Sequence, residues 1–253
     1  MKPQRVLESD PSLARDDRLG SVTRTPLDAD AEAAVAALRR LGSRKNRQGM
    51  ARYAIPSDRA FGVPMGKIQA LGRKLGKSHA LAEALWKTGW YEARTLAAFV
   101  EEPERVTAAQ MDRWCRAFDN WAICDTVCFQ LFDRSPHAFS RVRLWASRRE
   151  EFVRRAAFAL LASLALHDRD GDDAPFLRCL PLLERAAADE RNFVKKGVSW
   201  ALRSVGRRSR RLHRESVALA RRLAASEDAT GRWIGKDALR DLTRPAVVRR
   251  LRP

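Results

Sequence analysis

One carboxylate and two indoles sit at spacings that suit chemistry. In DNWAICDTVCFQLF, Asp125 follows Trp121 by four residues. On a helix the two side chains therefore share a flank. Cys124, Val127, Cys128 and Leu131 recur at i, i+3, i+4 and i+7, the spacing of a buried stripe. Asp125 falls about 110° from the centre of that stripe, at the boundary between core and solvent. Water screens a carboxylate weakly there, so its field on a developing positive charge is strong. The same pattern also fits a core Trp121 with Asp125 capping or paired to a neighbouring Arg.

The second segment is ERNFVKKGVSWALRSVG. Val194, Gly197, Val198, Ala201 and Val205 form its core stripe. Trp200 lies about 120° away and shares its flank with Lys196 and Arg203. Cations beside an indole, off the core face, suit a nucleic-acid strand: the cations take phosphates and the ring packs on sugar or base. Cation–π packing within the protein fits as well. The third segment is WASRREEFVRR. Beyond Arg155 the helix is apolar nearly all round, so Arg148, Arg149, Arg154 and Arg155 cluster at its entry. Arginines at a helix N-terminus make a phosphate site. Glu150 and Glu151 fit as favourable first-turn charges.

Other chemistries find little support. His79, His137, His167 and His213 have no metal-ligand spacing, so no metal and no cofactor is expected. Cys124 and Cys128 read as small hydrophobes on the core stripe. No GxGxxG, GxxxxGK[ST] or GxSxG occurs.

Helices must position these residues. The punctuation predicts a nearly unbroken series from Asp28 on, with Asp28 or Asp30 as cap of the first and Gly42 as its stop. Pro64 suits the first helical position of MGKIQALGRKLG. Ser78, Thr107 and Asp119 or Asn120 suit the caps of the next three, and Pro136 opens HAFSRVRLWAS. Further helices are expected near 150–167, 173–187, 190–205, 211–225 and 228–242, with a last turn after Pro245. No alternating β-branched run marks a strand. RRAAFALL from Arg154, KKGVSWAL from Lys195 and GKDALRDL from Gly235 recur at offsets of 41 and 40 residues. That period suits HEAT-type helix pairs, about 40–47 residues. The expected fold is an all-α, HEAT-like α-solenoid of tandem helix pairs with a concave basic groove, spanning 28–253. Residues 1–27 mix Pro, Asp, Arg, Ser and Thr without periodicity and read as a flexible leader.

Charge indicates the partner. Lys and Arg total 49 against 31 Asp and Glu, a net +18 over 253 residues. Residues 1–140 carry 22 cations and 17 anions, net +5; residues 141–253 carry 27 and 14, net +13. Such an excess suits a polyanion, because neutralising phosphates releases counterions. Apolar residues make up 45%, enough for a core and too many for a disordered tail. The most apolar stretch, 158–166, is far short of the ~20 residues that span a bilayer. The N-terminus has no apolar signal segment, and four irregularly spaced Cys make no disulfide framework, so a reduced cytoplasmic protein is expected.

The three segments, in this order, resemble the AlkD-like DNA alkylation repair enzymes, which are HEAT-like repeat DNA glycosylases. FGVPMGKIQALGRKLG (61–76), LWKTGWYEARTLAAFV (85–100), DNWAICDTV (119–127), WASRREEFVRRAAF (145–158) and FVKKGVSWALR (193–203) carry the likeness. The DNW-x-x-x-D and KK-x-x-x-WALR segments are its specific parts. The resemblance implies hydrolysis of the N-glycosidic bond of cationic purines such as 3-methyladenine and 7-methylguanine in double-stranded DNA. Asp125 would be the catalytic carboxylate, stabilising an oxocarbenium-like transition state. Trp121 and Trp200 would line the sugar, and Arg155 would hold backbone phosphate beside it. Lys195, Lys196 and Arg203, with Arg148, Arg149 and Arg154, would grip the DNA. The chain is expected to act as a monomer. Tyr91 departs from the family's usual His. The alternative reading is a non-enzymatic HEAT-like protein that binds DNA or senses damage.

Overall fold

The computed structural model describes residues 26–251. The expected leader falls mostly on residues outside that range. The helices among the described residues are α1 (Pro26–Leu41), α2 (Arg44–Gly49), α3 (Met65–Leu75), α4 (His79–Lys87), α5 (Tyr91–Val100), α6 (Ala108–Arg116), α7 (Trp121–Gln130) and α8 (Ala138–Trp145). They continue with α9 (Glu151–His167), α10 (Ala174–Leu177), α11 (Leu180–Ala186), α12 (Asn192–Gly206), α13 (Arg210–Ala224), α14 (Ala229–Leu242) and α15 (Pro245–Val248). No strand occurs among the described residues.

Local chemistry sets many of the boundaries. The side chains of Ser78, Thr107 and Asn120 accept the backbone N–H three residues on, which satisfies donors that a helix start leaves unpaired. Four expectations need correction. α1 begins at Pro26, so Asp28 lies in its first turn instead of capping it. Pro64 is the residue before α3, not its first. The span near 173–187 is two short helices, broken at Arg178–Cys179, with Pro181 in the first turn of the second. WASRREEFVRR is not one element: α8 ends at Trp145 and α9 starts at Glu151.

The helices stack in two layers. α5, α7, α9, α12 and α14 pack each on the next and form one layer. α4, α8, α11 and α13 pack against them from the other side, with α1 on α4 and α6 on α8. The faint sequence repeat maps onto this order: Arg154, Lys195 and Gly235 lie on α9, α12 and α14. Phe152 and Phe193, 41 residues apart in that register, pack with ring centroids 5.4 Å apart. Gly235 permits the closest approach: a Cβ there would lie 2.2 Å from the Ala224 backbone nitrogen. The core runs the length of the stack. Trp86 of α4 and Trp114 of α6 stack at 4.1 Å, and Trp114, Phe132, Phe158 and Phe176 are fully buried. Each such side chain contributes roughly 2–3 kcal/mol by leaving water.

The first repeat is organised by a buried acid. Glu92 on α5 has no solvent exposure. Its carboxylate accepts the backbone N–H of Phe61 at 2.9 Å, Gly62 at 2.7 Å and Val63 at 3.1 Å. An unpaired carboxylate would be costly here, so the loop and the acid stabilise each other. Gly62 has φ +76°, and a Cβ on it would meet the Ser43 oxygen at 2.4 Å and the Arg47 nitrogen at 2.5 Å. The loop thus seats α2. Glu92→Ala leaves three donors unpaired and is expected to cost about 3 kcal/mol or more. Urea unfolding checks this; a midpoint equal to wild type would contradict it.

Candidate functional site

The site forms where α7, α9 and α12 meet. The Cys124 thiol donates to the Phe152 carbonyl at 3.7 Å and the Cys128 thiol to the Ala156 carbonyl at 3.6 Å. The expected stripe of Cys124, Val127, Cys128 and Leu131 is wholly buried. Its packing turns Asp125 toward α9. There Arg155 grips the carboxylate with two hydrogen bonds, Nε to Oδ1 at 2.9 Å and Nη2 to Oδ2 at 2.7 Å. The third nitrogen of the guanidinium, Nη1, donates to the Phe193 carbonyl of α12 at 2.7 Å. The Arg155 side chain is 7% exposed and that of Asp125 20%. Of the two readings of Asp125 from pattern, a catalytic carboxylate or the partner of an Arg, the ion pair is present.

Burial pushes the Asp125 carboxyl above the ordinary aspartate range, against the pull of the Arg155 charge and hydrogen bonds. Burial works against the charge on Arg155, but Asp125 more than offsets it and raises the guanidinium pKa. Arg155 is therefore always charged. A carboxylate has about four acceptor sites, and Arg155 takes two.

Beside this pair lies a cavity of about 480 Å³ lined by Ala51, Arg52, Tyr53, Ala54, Trp121, Arg155, Asn192, Phe193 and Lys196. It holds two of the four expected catalytic residues, Trp121 and Arg155. Asp125 stands behind Arg155. Trp200 sits one helical turn beyond Lys196, half-buried and packed on the core, and is not among the lining residues. One wall was not legible in the sequence. It is a 3-10 turn, Met50–Tyr53, that continues α2. The Trp121 Nε1–H donates to the Tyr53 carbonyl at 2.7 Å. Ala54, with φ +53°, closes the turn in the left-handed region, a strained conformation for alanine. Nothing in the local sequence announces this contact, because its partners are 68 residues apart.

The expected DNA-gripping residues divide into two groups. Arg148 and Arg149 are exposed in the α8–α9 connection, and Lys196 is exposed on the rim of the cavity. The others have partners inside the protein. Arg154 pairs with Asp189 at 2.9 Å, an acid whose carboxyl is held below its ordinary range by Arg191. Arg203 donates to the Ser199 carbonyl and lies 3.5 Å from Asp237. Lys195 reaches over the ring of Trp233, 5.1 Å from its centroid. Trp233 itself is 41% exposed and was not singled out, although it occupies the register of Phe193 one repeat on. Trp145, on the basic half of the chain, is core: it is 2% exposed and its Nε1–H donates to Asp112. Among the described residues no group of three His, Cys, Asp or Glu is placed to hold a metal, and no helix is long and apolar enough to cross a membrane.

A family model described as DNA alkylation repair enzyme matches residues 34–242. Among solved structures, a member of "a new family of proteins related to the HEAT-like repeat DNA glycosylases with affinity for branched DNA structures" superposes with a TM-score of 0.68 at 19% identity. The match covers 83% of this chain and 94% of that one, and it shows that the fold is the HEAT-like solenoid. A designed armadillo repeat protein matches at a TM-score of 0.33 and 13% identity, over 71% of this chain and 95% of that one. No curated protein matches.

The Trp121–Tyr53 bond is the point at which the wall can be tested. Trp121→Phe keeps the ring but removes the donor. It is expected to speed amide exchange over residues 51–55 and to cost about 1 kcal/mol. Unchanged exchange in that segment would show that the turn does not depend on Trp121.

Proposed function

The chain belongs to the DNA alkylation repair enzyme family, and from that premise we propose that it is a monofunctional DNA glycosylase acting on cationic alkylated purines. One observation supports this reading above others: a carboxylate only one-fifth exposed is held by the same Arg155 guanidinium that walls a cavity together with an indole. A purine alkylated at N3 or N7 already carries positive charge, so it leaves without a general acid. The sugar then develops oxocarbenium character, as in other glycosidic cleavages. A carboxylate with free lone pairs can orient the attacking water and stabilise that charge. The Trp121 face is suited to the same cation. Arg155 favours the ionised carboxylate against the effect of burial and holds it in one orientation, and its guanidinium in the cavity wall suits a backbone phosphate. Arg148, Arg149 and Lys196 are the exposed cations best suited to the rest of the backbone. Arg154, Arg203 and Lys195 act mainly within the protein. Trp200 is the least supported of the expected catalytic residues.

The second reading is a DNA-binding member without glycosylase chemistry. It is favoured by the ion pair itself, since the charge of Asp125 is already matched by Arg155. The fold neighbour, described by its affinity for branched DNA, is compatible with it. Base release separates the two.

Wild-type protein is expected to release 7-methylguanine or 3-methyladenine from methylated duplex DNA. Asp125→Asn should slow release by about 10²–10³, the usual cost of losing one preorganised charge-stabilising group. DNA affinity should stay near wild type, because phosphate contacts dominate binding. No release by wild-type protein at any salt concentration would overturn the glycosylase reading. The pH dependence follows from the burial of Asp125. The active form is the carboxylate, so single-turnover release falls as pH drops through its raised pKa. The acid limb should have its midpoint above the ordinary aspartate value of about 4; a midpoint below it would contradict the assignment.

A further inference from the structure

The second half of the chain carries most of the net charge, yet a cluster of arginines around a cavity with no acid in its lining lies in the first repeat. A cavity of about 650 Å³ has Arg39, Arg44, Arg47, Ser43, Ser57 and Phe61 in its lining. No carboxylate lines it. All three arginines are exposed. Arg39 is held by aromatic faces, with its guanidinium 5.6 Å from the Phe61 centroid and 5.9 Å from that of Trp90. The floor is fixed: Glu92 holds residues 61–63, Gly62 seats α2, and the Asn46 amide donates to the Gly62 carbonyl at 3.3 Å. Three guanidinium forks and two hydroxyls over a rigid floor, without an acid, suit phosphate oxygens.

This cavity is joined to the one at Trp121 by a single piece of chain. α2 runs into the 3-10 turn without a break, since Met50 keeps helical dihedrals. Arg44 and Arg47 stand at one end of that piece and Tyr53 at the other. Helical rise puts the ends about 10–15 Å apart. That equals about three or four base pairs along a duplex.

We infer that Arg39, Arg44 and Arg47 form a phosphate-binding site for the DNA backbone on one side of the lesion cavity. The inference rests on the DNA-binding part of the function proposed above, not on its chemistry. The α2 segment is then a two-ended strap: phosphates seat one end while Tyr53, at the other, walls the cavity.

The test is DNA binding by fluorescence anisotropy across a salt series. The probe is a duplex of about 20 base pairs with a central abasic-site analogue. The variant combines Arg39→Gln, Arg44→Gln and Arg47→Gln. Three lost phosphate contacts should reduce the slope of log affinity against log salt by about 2–3. Affinity near physiological salt should fall about 10- to 100-fold. Cutting the duplex to two base pairs on one side of the analogue, and not on the other, should bring wild type to the level of the variant. If the triple variant melts early, Arg44→Gln and Arg47→Gln singly should each lower the slope by about 0.9. Wild-type binding with a variant slope unchanged overturns this inference and leaves the glycosylase reading standing. Failure of wild type to bind DNA at all overturns both. Base release is measured separately, so loss of chemistry alone does not bear on the phosphate site.

Discussion

One guanidinium ties the centre of this molecule together. Arg155 uses three of its nitrogens on two neighbouring helices, two on the Asp125 carboxylate of α7 and one on the Phe193 carbonyl of α12. Placing a charge where only 7% of the side chain sees solvent is costly unless its donors are met. The planar fork meets that condition, and a lysine ammonium would not reproduce its geometry. These bonds tie α7, α9 and α12 together at one point. They also fix the carboxylate in one orientation beside the cavity. Position of the site and rigidity of the solenoid at this point are the same fact.

Much of the fold could be read locally. Ser78, Thr107 and Asn120 cap helices because the capping bond spans only three residues. The stripes on α7 and α12 are buried as the wheel predicts, since helix periodicity is a property of neighbouring residues. What escaped depends on distant partners. α2 and its 3-10 turn carry no helical stripe; they are held by a loop that Glu92 fixes from about 30 residues away. Arg154 looked like a phosphate ligand until Asp189, 35 residues on, was placed beside it. The pairing of Asp125 with Arg155 stood open in the pattern for the same reason.

Net charge is a poor guide to where a polyanion would sit. The basic half has Arg141, Arg154, Arg191, Arg203, Arg207, Arg208 and Arg222 in ion pairs with acids of their own or neighbouring repeats. Arg208 is nearly inaccessible and lies over the ring of Phe176. Many of these cations stitch helices together. The weakly charged first half keeps Arg39, Arg44 and Arg47 around a cavity without acids. Local pairing, not the sum, decides which arginines remain to meet a ligand.

The bond from Trp121 to the Tyr53 carbonyl has a consequence for how the chain folds. A stack of repeats behaves as a line of neighbours: each unit is stabilised by the next, and stability adds up along the line. This bond spans 68 residues and gives the first repeat a second tie to α7, on which α5 already packs. The first repeat and α7 therefore gain stability together, and the Tyr53 carbonyl, beside the strained Ala54, meets its partner only after α7 is in place. Folding of these two neighbours should be more closely coupled than the packing of α5 on α7 alone would make it. A chain lacking its first repeat would keep the central helices and their ion pair while leaving the cavity open on one side.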